Sequence, residues 1–198
     1  MFPYIQCLVK RYCHTMTGHH LILGKMTDFL TGKTIDDSHD ERLRQKVAKY
    51  LVQEKGYDKS DIRSGEKILV RCGENSALVP LDFRISIHSK TAMIVKYGPG
   101  SILTRHQPAL AISRLVTPYQ VPIVVITNGR AVDVLFGETG QRLGDGFEAI
   151  PSRERLTILL SKETCPMLSE KQIEMASRIL YAYEIDDACP CDNTVCKL

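Results

Sequence analysis

The stretch Leu78-Val-Pro-Leu-Asp82-Phe-Arg-Ile-Ser-Ile87, followed closely by Ala92-Met-Ile-Val-Lys96, decides how this chain folds. Both segments are rich in the β-branched and aromatic residues that favour strands. The first carries Asp82 among apolar neighbours and the second ends on Lys96. An acid inside an otherwise apolar strand is costly unless it is paired or ligates a metal. Residues two apart on a strand share a face, so Asp82 and Arg84 point one way, and Ala92, Ile94 and Lys96 share a face of the next strand.

Working outward, a strand over 67–72 precedes them, and Gly73-Glu-Asn75 and His88-Ser-Lys90 separate the three. Gaps this short predict an antiparallel meander, because parallel neighbours need a long crossover. Gly98-Pro-Gly100 breaks the third strand. Upstream, Ser38-His-Asp-Glu41 is a capping box opening a helix whose stripe is Leu43, Val47, Tyr50 and Leu51, with Gly56 at its end. Downstream, Thr104-Arg-His-Gln107 repeats the box and opens a second helix that runs to 116, with Pro108 in its first turn. The continuous apolar run 121–127 predicts a strand buried on both faces, and Asn128-Gly129 turns it into 130–136. Helices are expected over 152–161 and 169–184, the latter with Ile173, Ala176, Ile179, Leu180 and Tyr183 on one face.

The order predicts an α/β fold, a mixed central sheet flanked by helices with further helices at the C-terminus. Three segments are expected: an N-terminal extension, 1–37, with one short strand docked on the main domain; a core, 38–150; and a C-terminal helical extension with a cysteine-containing tail, 151–198.

A chain of 198 residues is long enough to bury a proper core, and its net charge of +3 permits nucleic acid without demanding it. No apolar run is long enough to cross a membrane. Lys10 and Arg11 precede no clean apolar signal core, and the seven cysteines are an odd number, so a reduced, cytoplasmic setting is expected. Cys189-x-Cys191-x4-Cys196 lacks the Cys-x2-Cys pair of standard zinc sites; Cys13, His19 and His20 complete a site only if the termini meet, and free thiols are the ordinary reading. There is no Walker loop, dinucleotide fingerprint, HExxH motif or nucleophile elbow.

The αβββαβ order, with Glu41-Arg-Leu-Arg-Gln45, Tyr50-Leu51, Lys55-Gly-Tyr57 and the late hairpin Val124-Val-Ile-Thr-Asn-Gly129, resembles the N-terminal domain of type I restriction enzyme R subunits. That family lies within the PD-(D/E)xK, restriction-endonuclease-like superfamily, and the resemblance spans roughly 38–137. It implies a Mg²⁺-dependent DNA nuclease without a small-molecule cofactor. Asp82 and Glu41 would hold the metal, Lys96 would orient the attacking water, and Gln107 matches the glutamine opening the second helix. A hard divalent cation needs oxygen ligands and acidifies a bound water. The chain departs from the family at one decisive position: the acid expected two residues before the lysine is Ile94, and the usual Pro-Asp step reads Pro80-Leu-Asp82.

Arg84, Lys90, Lys96 and Arg105, with Gln107, are candidate phosphate contacts. Gly98-Pro-Gly-Ser101 with Arg105 and His106 is a second feature, since a helix N-terminus after a glycine turn can hold a phosphate oxygen. Each residue also has a plainer role. Glu41 and Gln107 complete capping boxes, Asp82 pairs with Arg84 or Lys96, and Lys96 reaches solvent from the strand end. Three functions stay open: a nuclease with a partly degenerate site, an inactive nucleic-acid-binding module, and a protein-interaction scaffold docking through its last helix. A homodimer is compatible with all three.

Overall fold

The structure, a computed structural model, describes residues 21–162 and 165–185, and the main chain alone of 186 and 196–197. It opens on an antiparallel hairpin, β1 (Gly24–Thr27) and β2 (Thr34–Asp37), where the sequence suggests a single strand. The second strand exists because Asp28 closes the turn. Its Oδ1 accepts from the Thr31 amide at 2.6 Å, and its own amide bonds Lys33 O at 2.8 Å. Phe29 and Leu30 dock the hairpin on the core.

Helix α1 (His39–Gln53) starts where Ser38 accepts from the Glu41 amide at 3.2 Å. Its buried residues are Gln45, Val47, Ala48 and Leu51. The face in line with Glu41 is therefore inside the protein. Gly56, at φ +73°, lets the chain leave the helix in a conformation other residues resist.

Six strands lie side by side in the order β3 (Ile62–Cys72), β4 (Asn75–Ile87), β5 (Lys90–Tyr97), β6 (Ile123–Thr127), β7 (Val132–Phe136) and β8 (Arg142–Asp145). All pairings are antiparallel except β5 with β6, which are parallel. That pair needs a crossover, and α2 (His106–Leu115) supplies it. A short strand, β9 (Cys196–Lys197), adds to β4. Helices α3 (Arg153–Lys162) and α4 (Glu170–Leu180) follow the sheet, and α4 continues into a π-helical turn, Tyr181–Asp186. Strand β8 is not signalled by any apolar run; Arg142-Leu-Gly-Asp145 pairs at the sheet edge and is largely exposed.

The second helix begins later than the Thr104 box predicts. A 3-10 turn, Leu103–Arg105, comes first, and the Thr104 hydroxyl donates to Ser101 O at 2.9 Å. Arg105 takes the cap position with no side-chain bond. Pro108 explains the shift. With Thr104 as cap, Pro108 would stand where the first intrahelical N–H is required, and its ring would meet the Thr104 carbonyl. Starting one residue later leaves Pro108 where no donor is needed.

The sheet is covered on both faces. Val47, Ala48 and Leu51 of α1 and Leu156 of α3 pack on Phe83, Ile85, Met93, Val95 and Val125. Ala109 and Ile112 of α2 and Ala176 and Leu180 of α4 pack on Val79, Leu81, Ile94, Val124 and Ile126. Strand β4 contributes to both cores with residues of the same parity, Ala77, Val79 and Leu81 to one and Phe83, Ile85 and Ile87 to the other. Alternate residues of a regular strand share a face, so β4 turns over between Leu81 and Phe83. Opposite Asp82 in β3 is Gly65, at φ +67°, and these two are skipped between the pairs Ser64↔Phe83 and Glu66↔Leu81. At the same point β4 parts from β5, whose pairing begins at Phe83↔Val95, and β9 takes the vacated edge at Ala77 and Leu78.

Candidate functional site

Asp82 and Lys96 lie at this split, and both satisfy main-chain groups that the parting strands leave unpaired. Asp82 Oδ2 accepts from the Tyr97 amide at 2.8 Å, and Lys96 Nζ donates to Pro80 O at 3.0 Å. The other Asp82 oxygen accepts from Arg44 Nε at 2.7 Å. The expected pairing of Asp82 with Arg84 or Lys96 is therefore corrected to Arg44, which projects from α1. Lys96 does not reach solvent either; it is buried.

Arg44 is the hub of the acidic side of the site. Its guanidinium stacks 5.0 Å from the Tyr97 ring centroid, and its Nη1 is 3.5 Å from Glu41 Oε2. Burial works against its charge, but Asp82, Glu41 and Asp40 outweigh burial and raise its pKa. Tyr97 donates its hydroxyl to Asp40 Oδ1 at 2.8 Å, and burial together with that bond pushes the phenol pKa up. Glu41 does not reach back to the Ser38 amide as a full capping box requires. It accepts instead from Gln45 Nε2 at 2.8 Å, and Gln45 also bonds Asp28.

Lys96 belongs to a different charge cluster. Glu184, from the π-helical turn, is 3.6 Å from Lys96 Nζ and 3.6 Å from Arg105 Nη1. Arg84 bonds Glu66 at 2.7 Å, Lys90 lies over the Tyr119 ring, and Gln107 is exposed in the first turn of α2 without completing a cap. Glu41 and Asp82 are thus brought together through Arg44, whereas Lys96 and Arg105 meet at Glu184. Ile94 is fully buried in the core beneath α2 and α4.

A third group lies one step along. Asp133, buried in β7, forms an ion pair with Arg142, whose Nε is 2.8 Å from Oδ1, and shares a 2.8 Å hydrogen bond with His106 Nε2. Asp133 is an acid inside the apolar run 132–136, the same signal that singles out Asp82, and sequence reasoning passed over it. Arg44 and Glu184 gave no such signal, because each sits among charged or mixed neighbours on a helical face.

The residues present do not fit Mg²⁺. Both Asp82 oxygens already accept hydrogen bonds, a cation there would face the Arg44 guanidinium, and Ile94 offers no oxygen. Among the described residues no three His, Cys, Asp or Glu side chains cluster as metal ligands do. The glycine turn is engaged as well, since the Gly98 amide bonds Thr127 O at 3.0 Å. Cys7, Cys13, His14, His19, His20, Cys189 and Cys191 lie outside the described residues, and of Cys196 only the main chain is described; Cys72 and Cys165 are free thiols. No described helix is long and apolar enough to cross a membrane.

The sequence pattern of one protein family, described as type I restriction enzyme R protein N terminus (HSDR_N), matches residues 39–151. The match runs from the start of α1 past the end of β8. No curated protein and no solved structure is matched.

Proposed function

Because the chain belongs to the type I restriction enzyme R protein N-terminal family, we propose that it is a DNA-directed domain that holds the polynucleotide backbone without hydrolysing it. Asp82 carries the hydrolytic part of this reading: one oxygen is taken by Arg44 and the other by the Tyr97 amide. Metal-assisted phosphodiester hydrolysis needs that carboxylate open to a cation, a second acid beside it, and a basic group free to handle the water. Here the second acid is Ile94, and the Lys96 ammonium is bound to Pro80 O and faces Glu184.

DNA as the partner is supported by the family and by a pair of cations. Lys67 and Arg71 are exposed on β3, the edge strand, both beyond the turnover at Gly65. Residues four apart on a strand share a face and stand roughly 13 Å apart, a spacing suited to successive backbone contacts. Charges also keep an edge strand from pairing with other chains, so the test must read DNA binding rather than stability.

The test is anisotropy of labelled duplex DNA over a range of salt, alongside plasmid incubated with Mg²⁺ or Mn²⁺, using the full chain and Asp82→Ala. The expected result is binding that weakens with salt and no nicking by either protein. Changing Lys67 and Arg71 together to Gln should flatten the logarithmic salt slope by about 2. Nicking that disappears in Asp82→Ala would overturn the non-hydrolytic reading, and absence of binding at low salt would overturn the DNA reading.

A further inference from the structure

We infer that Lys96 and Arg105 form a phosphate-binding site, and that the chain's own Glu184 carboxylate is its competing occupant. The inference rests on the DNA-directed reading and names where a backbone phosphate enters and what regulates its entry. Both cations lie within the family-matched part of the chain, 39–151, whereas Glu184 comes from the turn after α4, outside it.

The carboxylate fits this place poorly. The Lys96 and Glu184 side chains are 8% and 9% exposed, so their charges are almost fully removed from water. Yet Glu184 stands 3.6 Å from each cation, well beyond the 2.7–2.9 Å of a charge-assisted hydrogen bond. Glu184 Oε1 and Arg105 Nε are buried with no hydrogen-bond partner among the described residues. Buried polar atoms left unpaired are costly, so the closed arrangement forgoes bonds that a better-shaped anion makes. A phosphate carries more acceptor oxygens, spread tetrahedrally, and can reach an ammonium and a guanidinium at once.

The surroundings suit such an anion. Arg105 lies across Gly98, where a Cβ would come within 3.2 Å of Arg105 Nε, so the glycine keeps the guanidinium flat against the turn. Glu184 is presented by a π-helical turn held by buried Leu180 and Ile185. Departures from α-geometry of this kind recur at functional positions. Lifting the turn, or removing the Glu184 charge, exposes the two cations to a phosphate.

The experiment titrates the full chain with inorganic pyrophosphate by calorimetry, and with labelled duplex DNA. The proteins are wild type, Glu184→Gln, and Glu184→Gln combined with Arg105→Gln. Glu184→Gln should bind pyrophosphate and DNA about tenfold more tightly, because one like charge at close range is removed, and Arg105→Gln should erase the gain. If wild type binds DNA but Glu184→Gln changes neither titration, the inference fails while the DNA-directed reading stands. If no variant binds DNA but Glu184→Gln gains pyrophosphate affinity, the anion site stands and the DNA reading fails. Should Glu184→Gln unfold, amide exchange over 181–186 in the unaltered protein decides. Faster exchange on adding pyrophosphate supports the inference, and unchanged exchange overturns it.

Discussion

Asp82 and Lys96 stand opposite one another, one step beyond the last paired residues of β4 and β5, yet each has its charge partner elsewhere. Asp82 meets Arg44 at 2.7 Å and Lys96 meets Glu184 at 3.6 Å. The two residues that the resemblance implies for metal and water each face a residue of opposite charge from a neighbouring helix or turn. Both also close the hydrogen bonding where β4 turns over, Asp82 on the Tyr97 amide and Lys96 on Pro80 O.

This arrangement makes the Asp82–Arg44 pair a stability element. Arg44→Met leaves a buried carboxylate without its counter-charge and should cost about 3–5 kcal/mol. Adding Asp82→Asn should recover part of that loss, because the amide oxygen can still accept from Tyr97. The check is urea unfolding of both single variants and the double variant. Strictly additive losses would mean that the pair is not coupled.

The fold was legible because it is written in period and punctuation. The meander from β3 to β5, the buried run of β6 and the Asn128-Gly129 hairpin all follow from alternation, apolar runs and turn residues. The start of α2 departs from the Thr104 box because that box is complete only until Pro108 is placed on its hydrogen-bond register. The site was half legible. Asp82 and Lys96 stand out as charges in apolar strands, but their partners Arg44 and Glu184 lie 38 and 88 residues away in sequence, and such pairing is a tertiary fact that no local pattern encodes.

Ile94 offers a direct probe of the acid that the resemblance leads one to expect. Its side chain is fully buried among Leu81, Val124 and Ile126, so Ile94→Glu places a carboxylate in an apolar core. The expected result is destabilisation of about 3 kcal/mol or more, with no gain of Mg²⁺-dependent cleavage. Thermal unfolding and plasmid nicking measure the two halves. Nicking gained by this one change would show that Arg44 yields Asp82 to a metal.

Asp133 should behave as a second buried anchor. Its carboxylate is held from two sides, by His106 and by Arg142. Asp133→Ala leaves the Arg142 guanidinium and the His106 ring without their shared acceptor and should cost about 3 kcal/mol. His106→Gln or Arg142→Gln should each cost nearer 1 kcal/mol, since Asp133 keeps the other partner. Denaturant midpoints of the three variants give the ranking, and equal losses for all three would contradict it.

The hairpin that docks on α1 carries a pH signature. Burial alone raises the Asp28 pKa, but bonds from Thr31 and Gln45, each at 2.6 Å, outweigh it and hold the carboxyl below its usual 3.8. A carboxylate whose folded pKa is depressed contributes stability that is fully present above its unfolded pKa and is lost as pH falls through the folded one. Asp28→Asn removes that contribution, because the new amide turns an N–H₂ toward Thr31 or Gln45. The stability gap between the two proteins should therefore be constant from pH 7 to about 5 and should narrow as pH falls below 3.8. Urea midpoints measured across that range provide the check. A gap that stays constant down to about pH 2 would mean that Asp28 keeps its proton balance unchanged on folding.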